Sequence, residues 1–215
     1  MEKINYQKIL DKMLEEIERS GEKKKLLLHA CCAPCSSYVL EYLSKYFDIT
    51  LYFYNPNISP EGEYDFRAEE LKRLVLEMPL PKNINVITEV YNSDEFYNKI
   101  AGHENDPEGG ARCRECYTLR LEQSAKYARD NRFDFFTTTL SISPYKNSRW
   151  LNEIGESLSG KYGVAYLTSD FKKRNGYKRS CELSLEYGLY RQDYCGCEFS
   201  KNNKNNHTNK SEKTN

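Results

Sequence analysis

Seven of the eight cysteines fall into three short groups. Cys31, Cys32 and Cys35 stand in His29-Ala-Cys-Cys-Ala-Pro-Cys35, directly after the apolar run Leu26, Leu27, Leu28; Cys113 and Cys116 stand in Ala111-Arg-Cys-Arg-Glu-Cys-Tyr117; Cys195 and Cys197 flank Gly196. The first two groups offer thiolates from two separate segments, a donor set suited to Zn²⁺ in a tetrahedron or to an iron–sulfur cluster. An adjacent Cys-Cys pair is awkward around one small ion and fits a cluster whose iron atoms lie apart, so the cluster is the preferred reading and zinc the alternative. The Cys-x-x-Cys segment reads as a helix start, where unpaired N–H groups and the flanking Arg112 and Arg114 are expected to lower the thiol pKa values.

Cys195-Gly196-Cys197 is a different motif. Two cysteines one residue apart close a strained ring, and strained disulfides are the readily reduced kind; Gly196 permits the turn. Two further metal ligands, or inert thiols, are the alternatives. Cys35 reads as a fifth ligand, as a ligand of a second metal, or as a helix cap, and the isolated Cys181 as a small core residue. His29 reads as a hydrogen-bonded strand residue more readily than as a ligand, and His103 has no neighbours that define a role.

The elements that must position these groups follow from periodicity. Residues 4–19 carry apolar side chains at helical spacing, closed by Gly21. Strands are then expected from residue 25 and over 49–54, 84–91, 133–140 and 164–168, alternating with helices after Cys35 and over 64–77, 113–130, 148–159 and 177–187. This alternation implies one three-layer α/β domain with a mostly parallel sheet. Ligands of such sheets collect beyond the carboxyl ends of the strands, where the first strand runs directly into its cysteines. The expected divisions are an N-terminal amphipathic helix over 1–22, a catalytic α/β domain over 23–199 and a disordered Asn/Lys-rich tail over 200–215.

Composition narrows the chemistry. In 215 residues with 18 Tyr and 9 Phe there is ring area for a core, although mean hydropathy is −0.82. There is no apolar run long enough to span a membrane and no secretory signal, so the expected address is the cytoplasm, where grouped cysteines point to metal or redox chemistry. Thirty-two cationic against 32 acidic side chains leave no global field, so any polyanion must meet a local patch. Residues 170–179 provide one: Lys172, Lys173, Arg174, Lys178 and Arg179 beside Phe171 and Tyr177 suit RNA phosphates and a stacked base, with a solvated basic loop as the plain alternative. The hydroxyl-rich stretch 137–144 and the segment 55–59 read as pocket lining or as loop caps.

These motifs together resemble one family. His29-Ala-Cys-Cys-Ala-Pro-Cys35, Tyr54-Asn-Pro-Asn-Ile58, Arg112-Cys-Arg-Glu-Cys-Tyr117, Thr137-Thr-Thr-Leu-Ser-Ile-Ser-Pro144, Asp170-Phe-Lys-Lys173 and Tyr190-Arg-Gln-Asp-Tyr-Cys-Gly-Cys197 resemble the epoxyqueuosine reductases of the QueH family, in order, from about residue 25 to 199. The resemblance implies an adenine-nucleotide α-hydrolase-like (HUP, Rossmann-like) sheet whose Gly-rich phosphate loop is replaced by the cysteine loop, which speaks against ATP use. It implies two-electron reduction of the epoxide of epoxyqueuosine at the tRNA wobble position to the alkene, with water leaving. It implies a [4Fe–4S] cluster on Cys31, Cys32, Cys113 and Cys116, an adjacent iron for which Cys35 is a candidate ligand, and Cys195 with Cys197 as the redox-active pair. Cobalamin is not expected; tRNA and an external electron donor are the expected partners, and a membrane is not. Two readings compete: a non-catalytic zinc-stabilised RNA-binding module, and a tRNA sulfur-transfer enzyme using a Cys195 persulfide, which would need an ATP-activating loop that is not visible.

Overall fold

The computed structural model describes residues 4–81 and 84–201. Their order is α1 (Tyr6–Ser20), β1 (Lys24–His29), α2 (Ala33–Leu43), β2 (Phe47–Phe53), α3 (Glu61–Glu77), β3 (Asn85–Thr88), α4 (Ser93–Ile100), α5 (Ala111–Asp130), β4 (Phe135–Thr138), a 3₁₀ turn (Thr139–Ile142), α6 (Ser148–Tyr162), β5 (Ala165–Tyr166) and α7 (Gly176–Glu186). The five strands form one sheet in the order β3-β2-β1-β4-β5, with every pair parallel.

Central β1 explains the layers. Leu26, Leu27 and Leu28 are all fully buried, but successive side chains of a strand point to opposite faces. Leu26 and Leu28 belong to one apolar cluster with Leu10 and Leu14 of α1, Leu40 and Leu43 of α2, and Leu71 and Leu74 of α3. Leu27 faces the other way, onto Leu121 and Ala125 of α5 and Leu151 and Leu158 of α6. Helix α7 packs on α2. Helix α1 starts where the Asn5 side chain accepts from Lys8 N–H and stops at Gly21, whose φ of 67° places it in the left-handed region.

The chain runs outward from β1 through β2 to β3, then returns to β4 on the other side of β1. The reversal point therefore lies between β1 and β4, where ligands of open α/β sheets bind. Both strands empty into it: Cys31 N–H donates to Thr139 Oγ1 at 3.3 Å, joining the segment after β1 to the segment after β4.

Several elements differ from the sequence expectation. The strand expected over 84–91 is confined to Asn85–Thr88 and is followed by α4, which the periodicity did not signal because only Phe96 and Ile100 are buried on its eight residues. The strand expected over 133–140 ends at Thr138, whose hydroxyl accepts from Leu140 N–H and starts the 3₁₀ turn. The last strand is the short edge pair Ala165–Tyr166. The expected tail boundary at residue 200 falls inside folded structure: Ser200 is buried and its hydroxyl accepts from Cys195 N–H at 3.1 Å, while 202–215 lie outside the described residues. Among the described residues no helix is long and apolar enough to cross a membrane.

One packing contact gives a stability prediction. A Cβ built on Gly155 of α6 would lie 2.4 Å from Cζ of the buried Tyr166 ring. Alanine gains about 1 kcal/mol in helix propensity, but overpacking a filled core costs about 1–3 kcal/mol. Gly155→Ala is expected to lower the melting temperature, by about 2–4 °C for each net kcal/mol lost, as thermal unfolding would show.

Candidate metal centre

The three thiols of the first loop converge. Cys31, Cys32 and Cys35 place their sulfurs within 4.8 Å of one another, with Cys31 Sγ 3.8 Å from Cys32 Sγ and 3.5 Å from Thr139 Oγ1. The local sequence dictates this. Cys32 is the extended residue before α2, Pro34 starts the helix without losing a needed N–H, and Cys35 follows one turn after Cys31 and Cys32. The Asn55 side chain, from the segment after β2, pins the loop by donating to Ala30 C=O at 2.9 Å. Hydrogen bonds from Cys32 and Cys35 hold Cys31 well below the usual thiol range, while that same contact pushes Cys32 up to about 12 and Cys35 well above its usual value. A cation binding here would displace those protons.

Cys113 and Cys116 lie in the first turns of α5. Burial raises Cys113 and pushes Cys116 up to about 11, against the lowering expected from the helix start. The flanking arginines do not offset this: Arg112 acts on Cys113 only as a minor lowering charge. Arg112 turns away to donate to the carbonyls of Glu104, at 2.7 Å, and Asp106, and Arg114 faces the Trp150 ring and Glu153. Desolvation thus wins over the dipole for both thiols.

What draws the groups together is Arg120, which periodicity alone did not single out. It is 2 % exposed, lies one turn beyond Cys116, and its charge acts on Cys116, Cys31 and Cys195. One guanidinium nitrogen donates to Asn55 Oδ1 at 2.5 Å, and Nε has no partner. The i, i+4 spacing from Cys116 and the i, i+7 spacing from Cys113 are the signal that could have found it. Cys31 and Cys113 pack on the same aromatic cluster that contains Tyr52, Tyr54 and Tyr117, and Cys116 shares an apolar cluster with Cys197.

The Cys195-Gly196-Cys197 turn docks against this centre. Gly196 has φ of 114°, and a Cβ there would lie 3.0 Å from Ile58 Cγ1 and 3.1 Å from Arg67 Nη1, so only glycine fits the conformation and the space. Gly196 C=O accepts from Ser59 N–H at 3.0 Å, and Arg67, 1 % exposed, reaches Cys195 C=O at 3.4 Å. Both cysteines are free thiols. Burial, then the neighbouring Cys195, pushes Cys197 up to about 12, and Cys195 Sγ accepts from Lys146 Nζ at 2.9 Å.

The remaining sequence candidates lie elsewhere. His29 is fully buried, with Nδ1 2.8 Å from Thr138 Oγ1 and Nε2 3.1 Å from Tyr54 C=O; burial lowers it to about 3, so the neutral ring is spent on structural hydrogen bonds. His103 pairs with Asp106 at 2.9 Å. Cys181 is half-buried on α7. In the basic segment Lys172 pairs with Asp170, Arg174 with Asp11 at 2.5 Å, Arg179 with Glu41 at 2.6 Å and Lys178 with Glu182 at 4.0 Å, while Lys173 is exposed. A cleft of about 510 Å³ lined by Lys25, Phe47, Asp48, Asn85 and Phe133 opens at the amino ends of the strands, the wrong end of the sheet for the thiols.

Comparison with known proteins decides the family. The family model described as epoxyqueuosine reductase QueH matches residues 26–203. The chain belongs to the QueH family. It is 44% identical to the epoxyqueuosine reductase QueH of Staphylococcus epidermidis over 203 residues, covering 93% of this chain and 85% of that protein. The Streptococcus pyogenes QueH is 42% identical, covering 93% and 79%, and the Thermotoga maritima QueH is 36% identical, covering 81% and 89%. Among solved structures, the U34-tRNA thiolase NcsA from Methanococcus maripaludis, solved with its [4Fe-4S] cluster, aligns at a TM-score of 0.52 and 13% identity, covering 92% of this chain and 73% of that one; this is a likeness of fold.

Proposed function

We propose that this QueH-family chain reduces the epoxide of epoxyqueuosine at the tRNA wobble position to the alkene of queuosine, and that Cys31, Cys32, Cys113 and Cys116 hold a [4Fe–4S] cluster, with Cys35 facing an adjacent iron. The observation that carries the reading is Arg120. A buried guanidinium whose Nε lacks a partner, and which faces thiols from all three groups, calls for a compensating anion. A thiolate-bound cluster is such an anion, so donor set and counter-charge fit the same group. When bound, such a cluster supplies single electrons.

The chain's own residues do the rest. Reducing the epoxide takes two electrons and two protons and releases the oxygen as water. Cys195 and Cys197 store two electrons as a dithiol and return them as the pair closes to a disulfide, so they replenish the centre between turnovers. Thiols and cluster together account for both electrons, and the reading gives cobalamin no part. The external donor that reopens the pair acts at Cys195, the more exposed of the two.

A wobble nucleotide lies in a single-stranded loop that can be splayed into a site while cations hold its phosphates. The proposed contacts are Lys172, Lys173, Arg174, Lys178 and Arg179, of which Arg174 and Arg179 would exchange Asp11 and Glu41 for phosphate. Replacing Lys172, Lys173 and Arg174 together by Glu is expected to weaken tRNA binding and to flatten its log–log salt dependence by about 0.7 per lost contact. Unchanged affinity at low salt would remove the segment from the interface.

Metal analysis tests the centre. Anaerobically purified protein is expected to be brown, with about four or more irons per chain and matching sulfide. Colourless protein carrying zinc would favour the structural-zinc, RNA-binding reading.

A further inference from the structure

Lys146 meets the Cys-Gly-Cys turn from a segment distant in sequence. It lies in the turn between the 3₁₀ segment and α6, next to Asn147, whose side chain caps α6 by accepting from Trp150 N–H at 3.2 Å. Its neighbour Tyr145 is exposed, but Lys146 folds inward and spans 49 positions of sequence to donate from Nζ to Cys195 Sγ at 2.9 Å. Lys146 is half-buried, and an ammonium drawn out of water is costly unless something negative meets it. Burial does pull Lys146 down, but Cys195, Tyr117 and Cys113 raise it further, so it stays charged. Cys197 stands in contrast: it is buried beside Phe96, Ile100 and Cys116, with burial pushing it up to about 12. The two sulfurs of the pair thus have unequal surroundings: an ammonium meets Cys195, and an apolar cluster encloses Cys197.

We propose that Lys146 is the positioning residue of the Cys195 sulfur, fixing Sγ and supplying the positive charge beside which negative charge forms on that sulfur whenever the Cys195–Cys197 pair opens. The inference rests on the reading of that pair as redox-active. A dithiol reductant that opens the bond is oxidised to its own disulfide. Of its two protons, one goes to Cys197 and the other to solvent, and Cys195 leaves as the anion facing the ammonium. The cation lowers the energy of that leaving group and makes Cys195 the more nucleophilic sulfur of the open form.

Pulsed alkylation tests this without turnover. Full-length, anaerobically purified and reduced protein is treated briefly with iodoacetamide at neutral pH, and each cysteine is followed by peptide mass mapping. Cys195 is expected to react ahead of Cys197. Lys146→Met is expected to slow Cys195 by about tenfold, the effect of losing one charge-assisted hydrogen bond, and Lys146→Arg to restore most of the rate. Equal rates in wild type and Lys146→Met, an arginine variant as slow as the methionine one, or an inert Cys195 in wild type would each overturn the assignment. If Cys195 is fast and Lys146-dependent while Cys195→Ser still turns over repeatedly, the lysine assignment holds and the redox role of the pair falls.

Discussion

Cys116→Ala is expected to yield a folded, colourless protein that retains little iron and does not reduce epoxyqueuosine in tRNA. Cys116 Sγ sits in the first turns of α5, beside the Arg120 charge and packed with Phe96 and Ile100. Alanine removes one small apolar-like side chain from that cluster, a change in the ordinary range of about 1–3 kcal/mol, and avoids the unpaired hydroxyl that serine would bury. The sheet and its two helical layers do not depend on this sulfur, since Leu26, Leu27 and Leu28 pack with partners from α1, α2, α3, α5 and α6. On the proposed ligand set a cluster would lose one of its four protein thiolates, beside the buried Arg120. Iron and sulfide per chain, the visible spectrum and the melting temperature together separate ligand loss from unfolding. Cys181→Ala, on α7, serves as the control with full iron. A Cys116→Ala protein with wild-type iron would remove Cys116 from the ligand set.

Cys195→Ser separates the two thiol systems. The variant is expected to keep its full iron content and to complete at most one reduction per pre-reduced chain, with repeated turnover falling by at least about a hundredfold, as expected when a covalent relay is removed. The serine hydroxyl still accepts from Lys146 and the main-chain contacts of the turn remain, namely Cys195 N–H to Ser200 Oγ and Gly196 C=O to Ser59 N–H, so the turn should stay docked. Quantifying product per chain with and without added reductant reads the effect directly. Loss of iron in this variant would instead make Cys195 a ligand, and undiminished turnover would make it neither.

The sheet and the thiol loop were legible because both are written in local pattern. The apolar run of β1 followed at once by cysteines and Pro34 states strand, turn and helix start in twelve residues, and the parallel sheet follows from helices between successive strands. Helix α4 was not legible, since two buried side chains on eight residues make a weak period. The thiol pKa values were misread for a different reason: a helix start and two arginines argue for lowering, but whether Cys113 and Cys116 are desolvated, and where Arg112 and Arg114 point, is decided by tertiary packing. Arg120, Arg67 and Lys146 were hidden likewise. In sequence they are cations among cations, and only the fold shows that these three are carried inward to sulfur or to the Cys195 carbonyl while the basic run 172–179 is largely matched by carboxylates.

The reduction itself is tested most directly by mixing anaerobically purified, cluster-bearing protein with reductant and tRNA containing epoxyqueuosine, then digesting the tRNA and weighing the modified nucleoside. The account predicts a nucleoside lighter by one oxygen atom, formed in more than one equivalent per chain, with the visible absorbance of the protein retained at the end. An unchanged nucleoside in the presence of an intact iron–sulfur spectrum would contradict it.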